Sequence, residues 1–209
     1  MLCWQSRSIL GLMVVLALGS RVDLVLPTAA ETTEAQPSLA GQLLVASPSM
    51  TDPRFDRAVI VMIRHHKEGA LGVVINRPVG ESSIALLLAM LGDTDASVSG
   101  EVRIFAGGPV QPEKFLALHS ADYRRAETFE IDGRLAMTSS GDVLRDIGNN
   151  KGPNKALVVF GYSSWLAGQL ERELARRIWT VAPAEPGVVF DEDRDKVWEA
   201  AYSKRMREL

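Results

Sequence analysis

The chain has 209 residues, 46% of them hydrophobic and 23% charged, which fits one sizeable globular domain and excludes extended disorder. A formal net charge of −3 and a pI near 5.7 argue against a nucleic-acid binder working through a broad basic face. The single cysteine, Cys3, stands at the N-terminus, so the body of the chain holds no internal disulfide, cysteine-ligated zinc or cysteine nucleophile.

The first 30 residues read as a signal peptide. Arg7 gives a positive start, Ile9 to Leu18 (ILGLMVVLAL) is apolar and too short to span a bilayer, and Ala29-Ala30 offers a cleavage site before Glu31. The expected location is therefore outside the cytoplasm, in the periplasm. A short anchor, or a start codon placed too early on a cytoplasmic protein, is the alternative, and membrane contact is expected only through this segment if it stays uncleaved. Residues 31–38 (ETTEAQPS) are polar and aperiodic, a linker, and the domain is expected over 39–209.

Apolar and β-branched runs predict strands at Leu43–Ala46, Ala58–Ile63 and Leu71–Ile75, with His65–Gly69 as a five-residue hairpin loop. Ser82 or Ser83 caps a helix through IALLLAMLG that stops at Gly92. Strands follow at Val102–Ala106, Phe115–Leu118 and Leu135–Thr138, with Asp122–Glu130 left irregular. A short helix is expected over Gly141–Ile147, capped by Ser139 or Ser140, then a buried strand over Ala156–Phe160. Leu166, Leu170, Leu174 and Ile178 predict a helix from Trp165 to Arg177, with Ser163 or Ser164 as its cap. Its other face carries Arg172, Arg176 and Arg177 interleaved with Glu171 and Glu173, the pattern of a solvated, self-paired surface. Val188–Phe190 reads as a last strand, and Asp191 as the cap of a terminal helix with Val197, Trp198 and Ala201 inward. Clustered strands with singly inserted helices make this an α+β domain, mainly antiparallel.

The segments GQLLVASPSMTDPRF, AVIVMIRHHKEGALGVVINRP, FAGGPV, LALHS, GYSSWLAGQLERE and VVFDEDRDKVWEAAY, in this order, resemble the motifs of the bacterial YqgE/AlgH family over about Gly41 to Tyr202. The resemblance implies a single compact domain of bent, coiled β-sheets with helices around them. It also implies no cofactor and no established enzymatic activity; one member is labelled a transcriptional regulator. Asn76, Arg77, Pro78, Gly107, Gly108, Pro109, His65, His119, Trp165, Gly168, Gln169 and Glu171 occupy the family's characteristic places. Ser164 and Leu166 stand where the family usually has Gly, and the export-like segment is also atypical.

Three corners frame the candidate binding surface: Asn76-Arg77-Pro78, Gly107-Gly108-Pro109 and Ser163 to Trp165. Arg77 can fork onto an anion or hold neighbouring carbonyls, and beside Trp165 it would make a charged fork and an aromatic plate. Gly107-Gly108-Pro109 reads as a tight turn rather than a phosphate loop, since Pro109 removes a donor. His65, His66 and His119, with Asp52 or Glu68, make a poor metal set, because adjacent residues on a strand face opposite ways; loop-exposed, hydrogen-bonded histidines are expected instead. The reading is a non-enzymatic binding or regulatory module for a protein or a small anionic ligand, without metal. A hydrolase using Ser163 with His65 or His119 ranks second and a transcriptional regulator third.

Overall fold

The computed structural model describes residues 37–93 and 98–205, which belong to one compact unit. The expected signal peptide and nearly all of the linker lie outside the described residues. Among the described residues no helix is long and apolar enough to cross a membrane.

Among the described residues ten strands make the sheet. Those of the main path are β1 (Gln42–Ala46), β2 (Val59–His66), β3 (Gly69–Val74), β6 (Val110–Ser120), β7 (Thr128–Asp132), β8 (Leu135–Thr138), β9 (Ala156–Leu166) and β10 (Trp179–Pro183). They run in the order β10-β1-β2-β3-β9-β6-β8-β7, while β4 (Pro78–Ser83) pairs β5 (Glu101–Ala106), which joins β9. All these pairings are antiparallel except β5 with β9. The α+β expectation holds: a curled, mainly antiparallel sheet carries helices on both faces.

The near-continuous apolar runs of β1 and β2 follow from burial on both sides. Leu43, Val45, Val59, Val61 and Ile63 pack one way, against the C-terminal helices α4 (Pro186–Val189) and α5 (Val197–Ser203). Leu44, Ala46, Ile60 and Met62 pack the other way with Trp165, Trp179 and Leu170 of α3 (Gln169–Ala175). A third cluster joins α1 (Ile84–Met90) and α2 (Asp142–Gly148) to Phe115, Ala117 and Val158. Ser83 Oγ accepts from Leu86 N at 3.2 Å and caps α1 as expected.

The strand β9 joins the two halves of the sheet. Val158 to Phe160 lie beside β5, whereas Ser163 to Leu166 lie beside β3, so the neighbour changes at Gly161. There φ is +74°, and a Cβ would stand 2.5 Å from the Gly108 carbonyl oxygen. A Cβ on Gly108 would in turn meet the Tyr162 carbonyl at 2.3 Å. Two backbones cross in contact at this point, which is why both corners carry glycine.

Several expectations are corrected here. The chain from Gly161 to Leu166 continues β9 rather than turning into a helix, because the open edge of β3 offers it a ladder from Gly69 to Gly72. Its burial alternates with period two: Ser163 and Trp165 are buried, Ser164 and Leu166 exposed. The helix starts only at Gln169, so neither Ser163 nor Ser164 caps it. The hairpin loop between β2 and β3 is Lys67-Glu68, since His66 already pairs Gly69. The strand β7 begins inside the stretch 122–130 expected to be irregular, and β4 and β10 lie where the sequence predicts no strand, β4 being polar and β10 following directly on the helical spacing that ends at Ile178. Val188–Phe190 is not a strand: Pro186 opens the short helix α4. Asp191 takes the Asp193 amide at 3.0 Å instead of capping α5, which begins after Lys196. In α2 the cap position is Gly141, one residue after Ser140, whose Oγ accepts from Asp142 N at 3.3 Å.

Candidate functional site

The first two predicted corners do meet. Ala106 N donates to the Arg77 carbonyl at 2.9 Å, and Gly107 bridges Val74 and Phe160 through 2.8 and 2.7 Å backbone bonds. The Asn76 side chain behaves like a fragment of strand, accepting from Val59 N at 2.9 Å and donating to the Arg57 carbonyl at 2.8 Å. Arg77 donates Nη2 to the Asp56 carbonyl, so this half-buried guanidinium ties down the segment before β2. Pro78 opens β4 opposite Phe105. Gly108 backs directly onto Tyr162 and Ser163, with exposed Pro109 leading into β6. Trp165 presents no plate to solvent: it is 6% exposed, and its indole N–H donates to Glu173 at 2.8 Å. Ser163 is 1% exposed and its hydroxyl has no hydrogen-bond partner.

Of the three histidines expected to be exposed in loops, His65 and His119 are buried strand residues, while His66 is exposed at the end of β2. His65 Nδ1 accepts from Leu39 N at 3.2 Å, which leaves Nε2 to donate to Glu171 at 2.8 Å and fixes the tautomer. Burial pushes the Glu171 carboxyl up, yet the His65 bond and nearby donors outweigh it and hold it below the usual range. His119 Nδ1 faces the Ser120 carbonyl at 2.9 Å and must donate there, so Nε2 accepts from the Thr138 hydroxyl at 2.9 Å. Burial holds this imidazole below the ordinary histidine pKa. Neither histidine bonds Ser163, and no group of three or more metal-ligating side chains occurs among the described residues. Glu171 and Glu173 are not half of a self-paired helix face either: Glu173 takes Trp165, Trp179 and Gln169, so both acids turn inward to the sheet.

One arrangement was not anticipated from the sequence. A cleft of about 420 Å³ lies along β5 and the first half of β9, walled by Val102, Phe105, Leu157 and Phe190 and reached by Arg103, Lys155 and Arg194. Arg194 is 8% exposed. Its Nη1 donates to the Val189 carbonyl at 2.9 Å, and its Cζ lies 5.2 Å from the centre of the Phe105 ring. No acceptor within the described protein reaches the other two nitrogens; Nε is sealed and Nη2 is open. Burial pushes the guanidinium down from the usual arginine range; Asp191 and Glu192 pull it back through space, and Arg103 opposes them. A charge this deep is ordinarily paired. The signal for it was the lone Arg inside the acidic run FDEDRD, which reads as helix-capping surface until the fold turns it inward.

The model of the family DUF179, AlgH-like, matches residues 43–208. The chain belongs to the AlgH-like family. It is 41% identical over 165 residues to a UPF0301 protein of Jannaschia sp. (strain CCS1), covering 78% of this chain and 86% of that one. A second UPF0301 protein, from Rhizorhabdus wittichii, is 41% identical over 168 residues, 80% of this chain and 90% of its own. The solution structure of the AlgH protein from Pseudomonas aeruginosa superposes with a TM-score of 0.68 at 36% identity, over 81% of this chain and 90% of that one. A crystal structure of a Corynebacterium diphtheriae protein, 23% identical with a TM-score of 0.64, shares the fold. In this AlgH-like chain the matched stretch includes the described strands from Leu43 of β1 onward and the whole Arg194 cleft.

Proposed function

We propose that this AlgH-like protein is a non-enzymatic binding module whose ligand is a small organic anion held at Arg194. The observation that supports this is a buried guanidinium lining a cleft, with one protein acceptor and, among the described residues, no carboxylate in contact. Burying such a charge is costly unless something pairs it, and a bound anion is the simplest pair. The same proposal places the mature protein outside the cytoplasm, starting near Glu31; intact Met1 on native cytoplasmic protein overturns that part.

Calorimetric titration of the full chain with a panel of organic anions and their neutral amide analogues tests the binding. Saturable heats are expected with anions, none with the amides, and at least about tenfold weaker binding in Arg194→Gln. Equal binding of an anion and its amide, or no anion binding at all, overturns the reading.

A further inference from the structure

The cleft also carries information about its ligand. We propose that it binds an organic monocarboxylate with an apolar body, the carboxylate on Arg194 and the body along Phe105, Val102, Leu157 and Phe190. This deepens the anion-binding reading above and rests on it.

Charge balance comes first. Arg103 Nε lies 3.9 Å from Glu81 Oε1, and its Nη1 donates to the Glu192 carbonyl at 3.3 Å, so its charge already has a carboxylate neighbour. Lys155 is exposed at the rim, as is Glu192. Among the described residues Arg194 is the cation left buried without a carboxylate in contact, and a single negative charge balances it. A phosphate ester would bring a second charge into a cleft that Glu81 and Glu192 also line, where like charges repel.

The guanidinium geometry points the same way. Nη2 and Nε share one edge of the planar fork, the edge a carboxylate engages through two parallel bonds, and it is the edge the protein leaves without acceptors. One carboxylate oxygen takes Nη2 directly. Seating the second on sealed Nε takes a swing of the Arg194 side chain away from the Phe105 ring.

Size and lining set the rest. A volume of about 420 Å³ falls in the range of sites for organic ligands, and an inorganic anion would leave the apolar wall uncovered. Covering that wall with an alkyl or aryl body gains affinity that acetate or phosphate lacks. A free acid and the C-terminal carboxylate of a short apolar peptide share this chemistry.

The test is titration of the ¹⁵N-labelled full chain with octanoate, acetate, octyl phosphate, inorganic phosphate and Leu-Leu, following the Arg194 Nε–H resonance. Octanoate or Leu-Leu is expected to shift that resonance and to bind about tenfold or more tighter than acetate. Whichever of the two is tighter identifies the source as free acid or peptide terminus, and either upholds the class. Octyl phosphate binding as tightly as octanoate overturns the carboxylate assignment while leaving the anion reading standing. Acetate matching octanoate overturns the apolar body. A resonance unmoved by every anion overturns both readings. Arg194→Lys keeps the charge without the fork and is expected to lose octanoate affinity about tenfold; the wild-type resonance decides should that variant fail to fold.

Discussion

Two buried charges of opposite sign, Asp146 on α2 and Arg194 between α4 and α5, are treated differently by the protein. Asp146 on α2 is 6% exposed and receives three hydrogen bonds: Tyr123 Oη at 2.6 Å, Arg125 Nε at 2.8 Å and Arg125 Nη2. Burial pushes its carboxyl up, but these donors outweigh burial and hold it below the usual range. Arg194, buried to a similar depth, has a carbonyl, an aromatic face and an edge without acceptors. A satisfied buried charge holds an element in place; an unsatisfied one beside a cleft is a reserved contact.

Removing the satisfied charge should produce the largest effect. Asp146→Ala leaves the buried Tyr123 hydroxyl without its acceptor, while the half-exposed Arg125 returns to water. A loss of about 2–3 kcal/mol in urea unfolding is expected. A loss under about 1 kcal/mol would mean that Asp146 is no better paired than Arg194, and the comparison would collapse.

His119 sharpens the same contrast through pH. Its folded pKa lies below the ordinary 6.5, so between the two values the unfolded chain binds the proton and the folded chain does not. Stability from this group is complete above pH 6.5 and falls as pH drops through that window. Carboxylates remain ionised above about pH 5. Unfolding free energies measured from pH 7.5 to 5.0 should therefore decline by no more than about 1.4 kcal/mol per pH unit from this group, and His119→Gln should flatten the slope. An unchanged slope in the variant would show that His119 takes up its proton in the folded state.

What was legible in the sequence had a local cause. Continuous apolar runs marked β1, β2 and the first half of β9, and Ser83 with Gly92 marked both ends of α1. The glycine corners were legible as corners, although their cause, one backbone crossing another at Gly108 and Gly161, lies far along the chain. The helical stripe starting at Leu166 was half coincidence: Leu166 is 78% exposed at the end of a strand, and Ile178 packs from the turn before β10. Edge strands such as PVGESS carry no pattern of their own and form because a neighbour offers a ladder. Arg194 was illegible for the same reason, since only the fold sets it behind Phe105. Asn76 and Arg77 were legible as corner residues, and of the two roles weighed for Arg77 the bond to Asp56 is the one seen.

Ser163 gives a smaller effect of opposite sign to the sequence expectation. As a helix cap it would cost roughly 0.5–2 kcal/mol on replacement by Ala. As a sealed hydroxyl without a partner it costs the fold its hydration, so Ser163→Ala should stabilise by about 1 kcal/mol. Destabilisation beyond about 0.5 kcal/mol would place a bound water or ligand at that hydroxyl.

The smallest stability effect is expected at Arg194 itself, and it discriminates most between the two regions. Arg194→Met keeps a long, flexible side chain against Phe105 and removes the unpaired charge. It loses the bond to the Val189 carbonyl, worth about 1–2 kcal/mol, and the ring contact. It also removes the desolvation penalty of a buried cation and an unsatisfied Nε–H, terms of similar size and opposite sign. The melting midpoint in buffer should therefore move by less than the equivalent of about 1 kcal/mol, while stabilisation by added octanoate disappears. If Arg194→Met instead lost 3 kcal/mol or more, as expected for breaking a buried pair, Arg194 would be a structural residue like Asp146. The cleft would then have to be read as a packing gap rather than a binding site.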